Sequence, residues 1–111
     1  MASTSLDSTF FALAHPVRRE ILATLATGPA SVNELAEPHD MSLPAISRHI
    51  RVLQDAGLIR RERNAQFRPC RLDPTPLREV SEWTENYRHI WDVRFAAMDR
   101  ALNDLKGAGH E

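Results

Sequence analysis

Residues 42–72 constrain the fold more tightly than any other part of this 111-residue chain. Ser42 stands where an N-cap belongs. Leu43, Ile46, Ile50 and Leu53 follow at 3-4-3 spacing, which predicts a helix to about Ala56 with one apolar stripe. Gly57 occupies the position of a left-handed C-cap. Two short strands come next, Leu58 to Arg63 and Phe67 to Leu72, joined through Asn64-Ala65-Gln66, where Asn64 tolerates positive φ. Pro69 marks the second strand as an edge or a bulge.

The segment before it completes the motif. Ser31-Val32-Asn33-Glu34 is a capping box that opens a short helix with Val32, Leu35 and Ala36 inward. Residues 38–41 form the turn. Two helices joined by a tight turn, the second polar on one side, make a helix-turn-helix. Upstream, Asp7 or Ser8 caps a first helix carrying Phe10, Phe11 and Leu13, and His15-Pro16 ends it. Pro16 starts a second helix with Val17, Ile21, Leu22 and Leu25, closed by Gly28-Pro29.

Charge follows the same division. The net charge is −1, yet residues 1–47 carry −3, residues 48–71 carry +5 and residues 72–111 carry −3. Half of the 14 basic residues therefore fall within 24 positions, all of them arginine. A charge block is ordinarily a solvated face. Here it coincides with a helix and hairpin, and arginine suits bidentate contacts to phosphate or guanine. A helix fits the major groove of B-DNA, and its N-terminal residues reach base edges first.

Ser42, Pro44, Ala45, Ser47, Arg48, His49 and Arg51 are thus candidate DNA contacts. The small side chains allow close approach, and Pro44 or Ala45 suits a thymine methyl. Arg48 suits a guanine, and His49 a phosphate or a packing position. Arg60, Arg61, Arg63, Gln66, Arg68 and Arg71 line the hairpin. Alternation sends them to opposite faces, and Arg63, Gln66 and Arg68, nearest the tip, are the favoured contacts.

Pro74 and Pro76 introduce a last helix expected over about 77–105, roughly 43 Å long. Val80, Trp83, Tyr87 and Ile90, then Trp91, Phe95, Met98, Leu102 and Leu105, form a wide stripe along it. Such a helix overhangs the rest of the chain, and a large exposed apolar stripe marks a partner surface. A second copy about a two-fold axis is the simplest partner. The expected dimerisation residues are Phe10, Trp83, Tyr87, Ile90, Trp91, Met98 and Leu102.

The expected architecture is mainly α with a small β-hairpin (α+β), a winged helix-turn-helix of order α-α-α-α-β-β-α. Residues 1–111 form a single domain with a frayed tail at 106–111.

Leu13-Ala-His-Pro-Val-Arg-Arg-Glu-Ile-Leu22, Ser31-Val-Asn-Glu-Leu-Ala36, Leu43-Pro-Ala-Ile-Ser-Arg-His-Ile50 and Leu53-Gln-Asp-Ala-Gly-Leu-Ile59 together resemble the winged-helix ArsR-type bacterial transcriptional regulators, over about residues 8–105. The resemblance implies a homodimeric repressor of a palindromic operator, released by an inducing signal, with dimerisation through the first and last helices. The helix matching residues 31–37 lacks the cysteine pair of many metal-sensing members, and the Asp and His spacing others use along the last helix is not reproduced. The chain therefore resembles a branch with no evident metal-binding motif, and no cofactor is expected. The wing-tip glycine is replaced around Asn64-Ala65.

Other chemistries find little support. Glu85, His89 and Asp92 at i, i+4 and i+7 are a weak metal set, read more simply as an ion-paired face. Cys70, the single cysteine, follows a proline on a strand, so a small core residue is expected. There is no phosphate-cradling glycine loop, no His-Glu-x-x-His and no Gly-x-Ser-x-Gly, so no enzyme is expected. The N-terminus lacks a secretory pattern, no run is long enough to span a membrane, and no disulfide framework exists, which points to the cytoplasm. Two alternatives stay open: a metal-responsive version of the same repressor, and a winged-helix module for protein contacts that does not bind DNA.

Overall fold

The computed structural model describes the backbone of residues 2–62 and 68–108, with side chains at 5–62 and 68–107. The element order is α1 (Ala2–Leu13), α2 (Pro16–Leu25), α3 (Val32–Ala36), α4 (Leu43–Asp55), β1 (Ile59–Arg61), β2 (Cys70–Leu72), α5 (Thr75–Glu85) and α6 (Arg88–Ala108). It divides into two compact units, residues 1–80 and 81–111.

In the first unit, local chemistry sets the helix ends. His15 is extended at the N-cap of α2, where its Nδ1 accepts from Val17 N at 3.1 Å, and Pro16 takes the first turn. Ser31 and Glu34 form the reciprocal capping box of α3, at 3.1 and 3.0 Å. Hydrogen bonding from Ser31, its backbone N–H first and then its side chain, also holds the Glu34 carboxyl below its ordinary pKa. Gly57, at φ +79°, turns the chain out of α4 and lets Leu58 N reach Leu53 O at 2.9 Å.

Ile21, Leu22 and Leu25 from α2, Leu35 from α3, and Ile46, Ile50 and Leu53 from α4 form the core with Leu58, Ile59 and Cys70. The hairpin is antiparallel, pairing Ile59 with Leu72, Arg60 with Arg71 and Arg61 with Cys70. Ala30 bridges to the other side of Cys70, so β2 is flanked on both sides there. β2 is an edge strand of the two-stranded sheet, as Pro69 suggests, covered by Ala30 at Cys70 alone. Pro69 precedes the strand, and its carbonyl accepts from Glu62 N at 3.2 Å.

Several expectations require correction. α1 starts well before Asp7, and it buries Thr9 and Ala12 while Phe10 and Phe11 are exposed. Thr9 is admitted because its hydroxyl donates to Ser5 O at 3.0 Å. Leu43 is 49% exposed, so the buried stripe of α4 begins at Ile46.

The single helix over about 77–105 is two helices, interrupted at Asn86 and Tyr87. Bonds from Asn86 N to Trp83 O and from Tyr87 N to Thr84 O close three-residue turns, and the Thr84 hydroxyl donates to Ser81 O. Thr and Asn compete locally for backbone groups, which weakens a helix at this point. α6 then runs beyond Leu105 to Ala108, into the expected tail. Among the described residues no helix is long and apolar enough to cross a membrane.

Candidate nucleic-acid interface

α4 has two faces of opposite character. Ile46, Ile50 and Leu53 are buried, while Ser42, Pro44, Ser47, Arg48 and Arg51 are exposed and Ala45 is half-buried. Ser42 caps the helix, its Oγ accepting from Ala45 N at 3.3 Å. Small side chains thus surround the helix start, where unpaired N–H groups favour an anion. One turn on, Arg48 is exposed. Arg51 is held at 3.3 Å by Asp55 on its own helix, a surface pair worth little.

His49 is placed differently. It is half-buried, with its ring centroid 4.4 Å from that of His15 and its Nδ1 3.3 Å from Arg18 Nη1. Burial lowers its pKa below the ordinary imidazole value, and the neighbouring His15, Arg18, Arg48 and His39 act in the same direction.

The hairpin sorts its arginines. Arg60 and Arg71 face each other across the ladder, a like-charge pair that would repel alone. Each is matched to a carboxylate: Arg60 Nε donates to Asp73 at 2.8 Å, and Arg71 Nε donates to Glu62. Arg61 and Arg68 are exposed. Arg63 and Gln66 lie outside the described residues.

Comparison with known proteins adds the family. Residues 13–62 match a family model described as a helix-turn-helix domain. The transcriptional repressor SdpR of Bacillus subtilis is 33% identical over 74% of this chain and 91% of its own length. The HTH-type transcriptional regulator Rv2034 of Mycobacterium tuberculosis is 42% identical over 66% of this chain and 68% of its own length. A crystal structure of an ArsR family transcriptional regulator superposes with a TM-score of 0.73 at 40% identity, covering 79% of this chain and 97% of that one. The chain belongs to the ArsR family of transcriptional regulators. Its fold is the winged helix-turn-helix, with α3 and α4 as the motif and β1–β2 as the wing.

Against that family background, the weak metal set does not assemble. Arg88 lies 3.4 Å from both Glu85 and Asp92, so these carboxylates hold a guanidinium instead. Among the described residues no three His, Cys, Asp or Glu side chains gather to hold a metal ion. Cys70 is fully buried, and desolvation raises its thiol pKa against a smaller opposing effect of Arg61.

The expected dimerisation residues fall in both units. Phe10 on α1 is 39% exposed, and Trp83, Tyr87, Ile90, Trp91, Met98 and Leu102 are all exposed in the second unit. Trp83, Thr84, Tyr87, Ile90 and Trp91 line a shallow apolar groove, in which Trp83 and Tyr87 pack edge to face at 5.3 Å.

Sequence reasoning missed Arg18. It is only 9% exposed, and its guanidinium sits between α1 and α4. A signal was present: Arg18 stands three, four and seven residues before Ile21, Leu22 and Leu25, on the buried stripe of α2.

Proposed function

We propose that this ArsR-family regulator is a homodimeric, sequence-specific repressor. Each subunit lays α4 in a major groove and sets its arginine wing on the adjoining backbone. One observation carries this reading: a capped helix exposes a small-residue, Arg48-bearing face and passes through Gly57 directly into the arginine hairpin.

Arg48, Ser47, Ala45 and Pro44 read or approach base edges, and Ser42 and Arg51 face phosphates. Arg63, Gln66 and Arg68 supply affinity more than sequence discrimination. His49 acts from its seat against α2. The whole chain works as one winged-helix domain, with α5 and α6 as the C-terminal dimerisation extension. Two such helices address half-sites one helical turn or a multiple apart, and occupancy of the operator in the cytoplasm blocks transcription. An inducer acts by favouring a dimer with the wrong helix spacing. The protein works by binding rather than by catalysis.

Fluorescence anisotropy with the DNA upstream of its own coding region, measured across salt, tests this. Affinity should decline with log salt at a slope of about 0.9 per phosphate neutralised. Arg48→Ala should relax base preference, costing about 1–3 kcal/mol at one position of each half-site. Absence of binding, or binding indifferent to salt, overturns the reading and leaves a protein-contact module.

A further inference from the structure

Arg18 is a charged side chain buried in the first unit, and each of its three guanidinium nitrogens has a partner. Nε donates to Ala12 O at 2.7 Å and Nη2 to Phe11 O at 2.9 Å. Both carbonyls belong to the last turn of α1, where C=O groups lack the usual helical partner four residues on and a cation is favoured; Phe11 O also accepts from Ala14 N at 3.2 Å. The guanidinium also lies 5.4 Å from the centre of the Phe11 ring. The remaining arm, Nη1, reaches 3.3 Å across to Nδ1 of His49 on α4. One planar group therefore joins the end of α1 to the middle of the helix proposed to read DNA.

An arginine only donates hydrogen bonds. His49 Nδ1 must then be the acceptor, so the neutral ring carries its proton on Nε2. The acceptor exists only while the ring is uncharged.

We propose that Arg18 and His49 form a proton-sensitive latch: Arg18, anchored on the α1 carbonyls, fixes the seat of α4 through His49 Nδ1, and a proton on that nitrogen opens it. Protonation replaces the acceptor with an N–H aimed at a guanidinium. It also places a cation beside the guanidiniums of Arg18, on α2, and Arg48, on its own helix, with the rings of His15 at the start of α2 and His39 in the turn before α4 also facing it. The Glu20 carboxylate on α2 lies 3.5 Å from His39 Nδ1. The same surroundings keep His49 uncharged at neutral pH, so the latch is closed there and opens on acidification.

This inference rests on α4 being the reading helix, and two measurements separate the two ideas. The first needs no DNA. In the free full-length protein, ¹⁵N-histidine NMR at neutral pH should show His49 unprotonated at Nδ1, and its titration should move amide signals of Phe11, Ala12 and α4 together. A proton on Nδ1 at neutral pH, or a titration confined to the ring, overturns the latch.

The second is the ratio of operator to scrambled-duplex affinity at fixed salt, from neutral pH down to the lowest pH at which the protein stays folded by circular dichroism, each protein normalised to its own neutral value. The ratio cancels general phosphate attraction. It should fall about tenfold for the native protein, the scale of a lost charged hydrogen bond. His49→Asn keeps an acceptor oxygen near the Nδ1 position and cannot titrate, so its ratio should stay flat. His49→Phe, without an acceptor, should show before normalisation a ratio about tenfold below that of the native protein at neutral pH. An equal acid decline in His49→Asn overturns the latch. If no operator binds at any pH, the reading of α4 fails, and the tautomer measurement still decides the latch.

Discussion

Ala30 and Cys70 exchange both backbone hydrogen bonds, Cys70 N donating to Ala30 O at 2.8 Å and Ala30 N to Cys70 O at 3.1 Å. Ala30 immediately precedes the Ser31 cap of α3, and Cys70 opens β2. This bridge joins the helix-turn-helix to the wing through the main chain, inside the core. Ala30→Pro removes one donor and leaves the buried Cys70 carbonyl without it. The expected loss is about 1–3 kcal/mol of unfolding free energy, read from urea titrations followed by circular dichroism. A midpoint equal to that of the native protein would show that the bridge contributes nothing.

Cys70 offers a second handle. Its side chain is fully buried and its thiol pKa is raised, so the thiolate that reacts with disulfide reagents is scarce and shielded. Native protein should resist a thiol reagent such as DTNB, and labelling should track the unfolded fraction along a denaturant series. Stoichiometric labelling within seconds under native conditions would contradict this placement.

Ser42 caps the helix on which the interface depends. Ser42→Ala should cost about 1 kcal/mol and Ser42→Gly only a few tenths, because glycine leaves the cap backbone open to water. The comparison is made by equilibrium unfolding of the two variants side by side. A Ser42→Ala variant as stable as the native protein would mean that the Oγ bond to Ala45 N is not what holds the helix start.

The features legible in the sequence were those set by near neighbours. The Ser31–Glu34 box, the Ser42 cap and the left-handed Gly57 each depend on residues within a turn of one another, and each is observed. What escaped depends on distant partners. Arg18 reads as a surface charge until the carbonyls of Phe11 and Ala12 come within reach. Leu43 fits the apolar period of α4 yet lies at the first turn, beyond the core. The interruption at Asn86 and Tyr87 was hidden because Trp83, Tyr87 and Ile90 keep helical spacing across it, while the Thr84 hydroxyl bond to Ser81 O and the short-range backbone bonds of Asn86 and Tyr87 act beneath that pattern. For the interface, the helix half was readable from spacing. The division of labour among wing arginines was not, since it turns on the cross-strand register and on Glu62 and Asp73.

Asp73 connects the wing to α5. One carboxylate oxygen accepts from Thr75 N at 3.0 Å and the other from Arg60 Nε at 2.8 Å. The bonds from Thr75, and then the charge of Arg60, hold its pKa below the ordinary aspartate value of about 3.9. A carboxyl depressed in the folded state adds stability that is complete above the unfolded pKa and is lost as pH falls through the folded one. Asp73→Asn keeps an acceptor for Thr75 and loses the charge. It should be less stable than the native protein at neutral pH, with the gap closing as acid is added toward about pH 2. Thermal melts of both proteins across that range check the sign. A gap that stays constant with pH would remove the carboxylate as its source.

Trp91 is 50% exposed and Leu102 49% exposed, and with Phe95 and Met98 they recur along α6 at steps of three and four. Burying a large apolar side chain is worth about 1.5–3 kcal/mol, so such a stripe left in water forgoes stabilisation that a second copy would supply. Trp91→Glu with Leu102→Glu places two carboxylates on it while keeping the helix propensity of α6. Sedimentation velocity should then show a monomer where the native chain shows a dimer. Operator affinity should fall more than tenfold, because each α4 must now bind its half-site without the other's contribution to local concentration. A variant that sediments as a dimer would place the contact elsewhere, with Phe10 on α1 the first position to test. A native chain that sediments as a monomer at micromolar concentration would remove the dimer from the mechanism altogether.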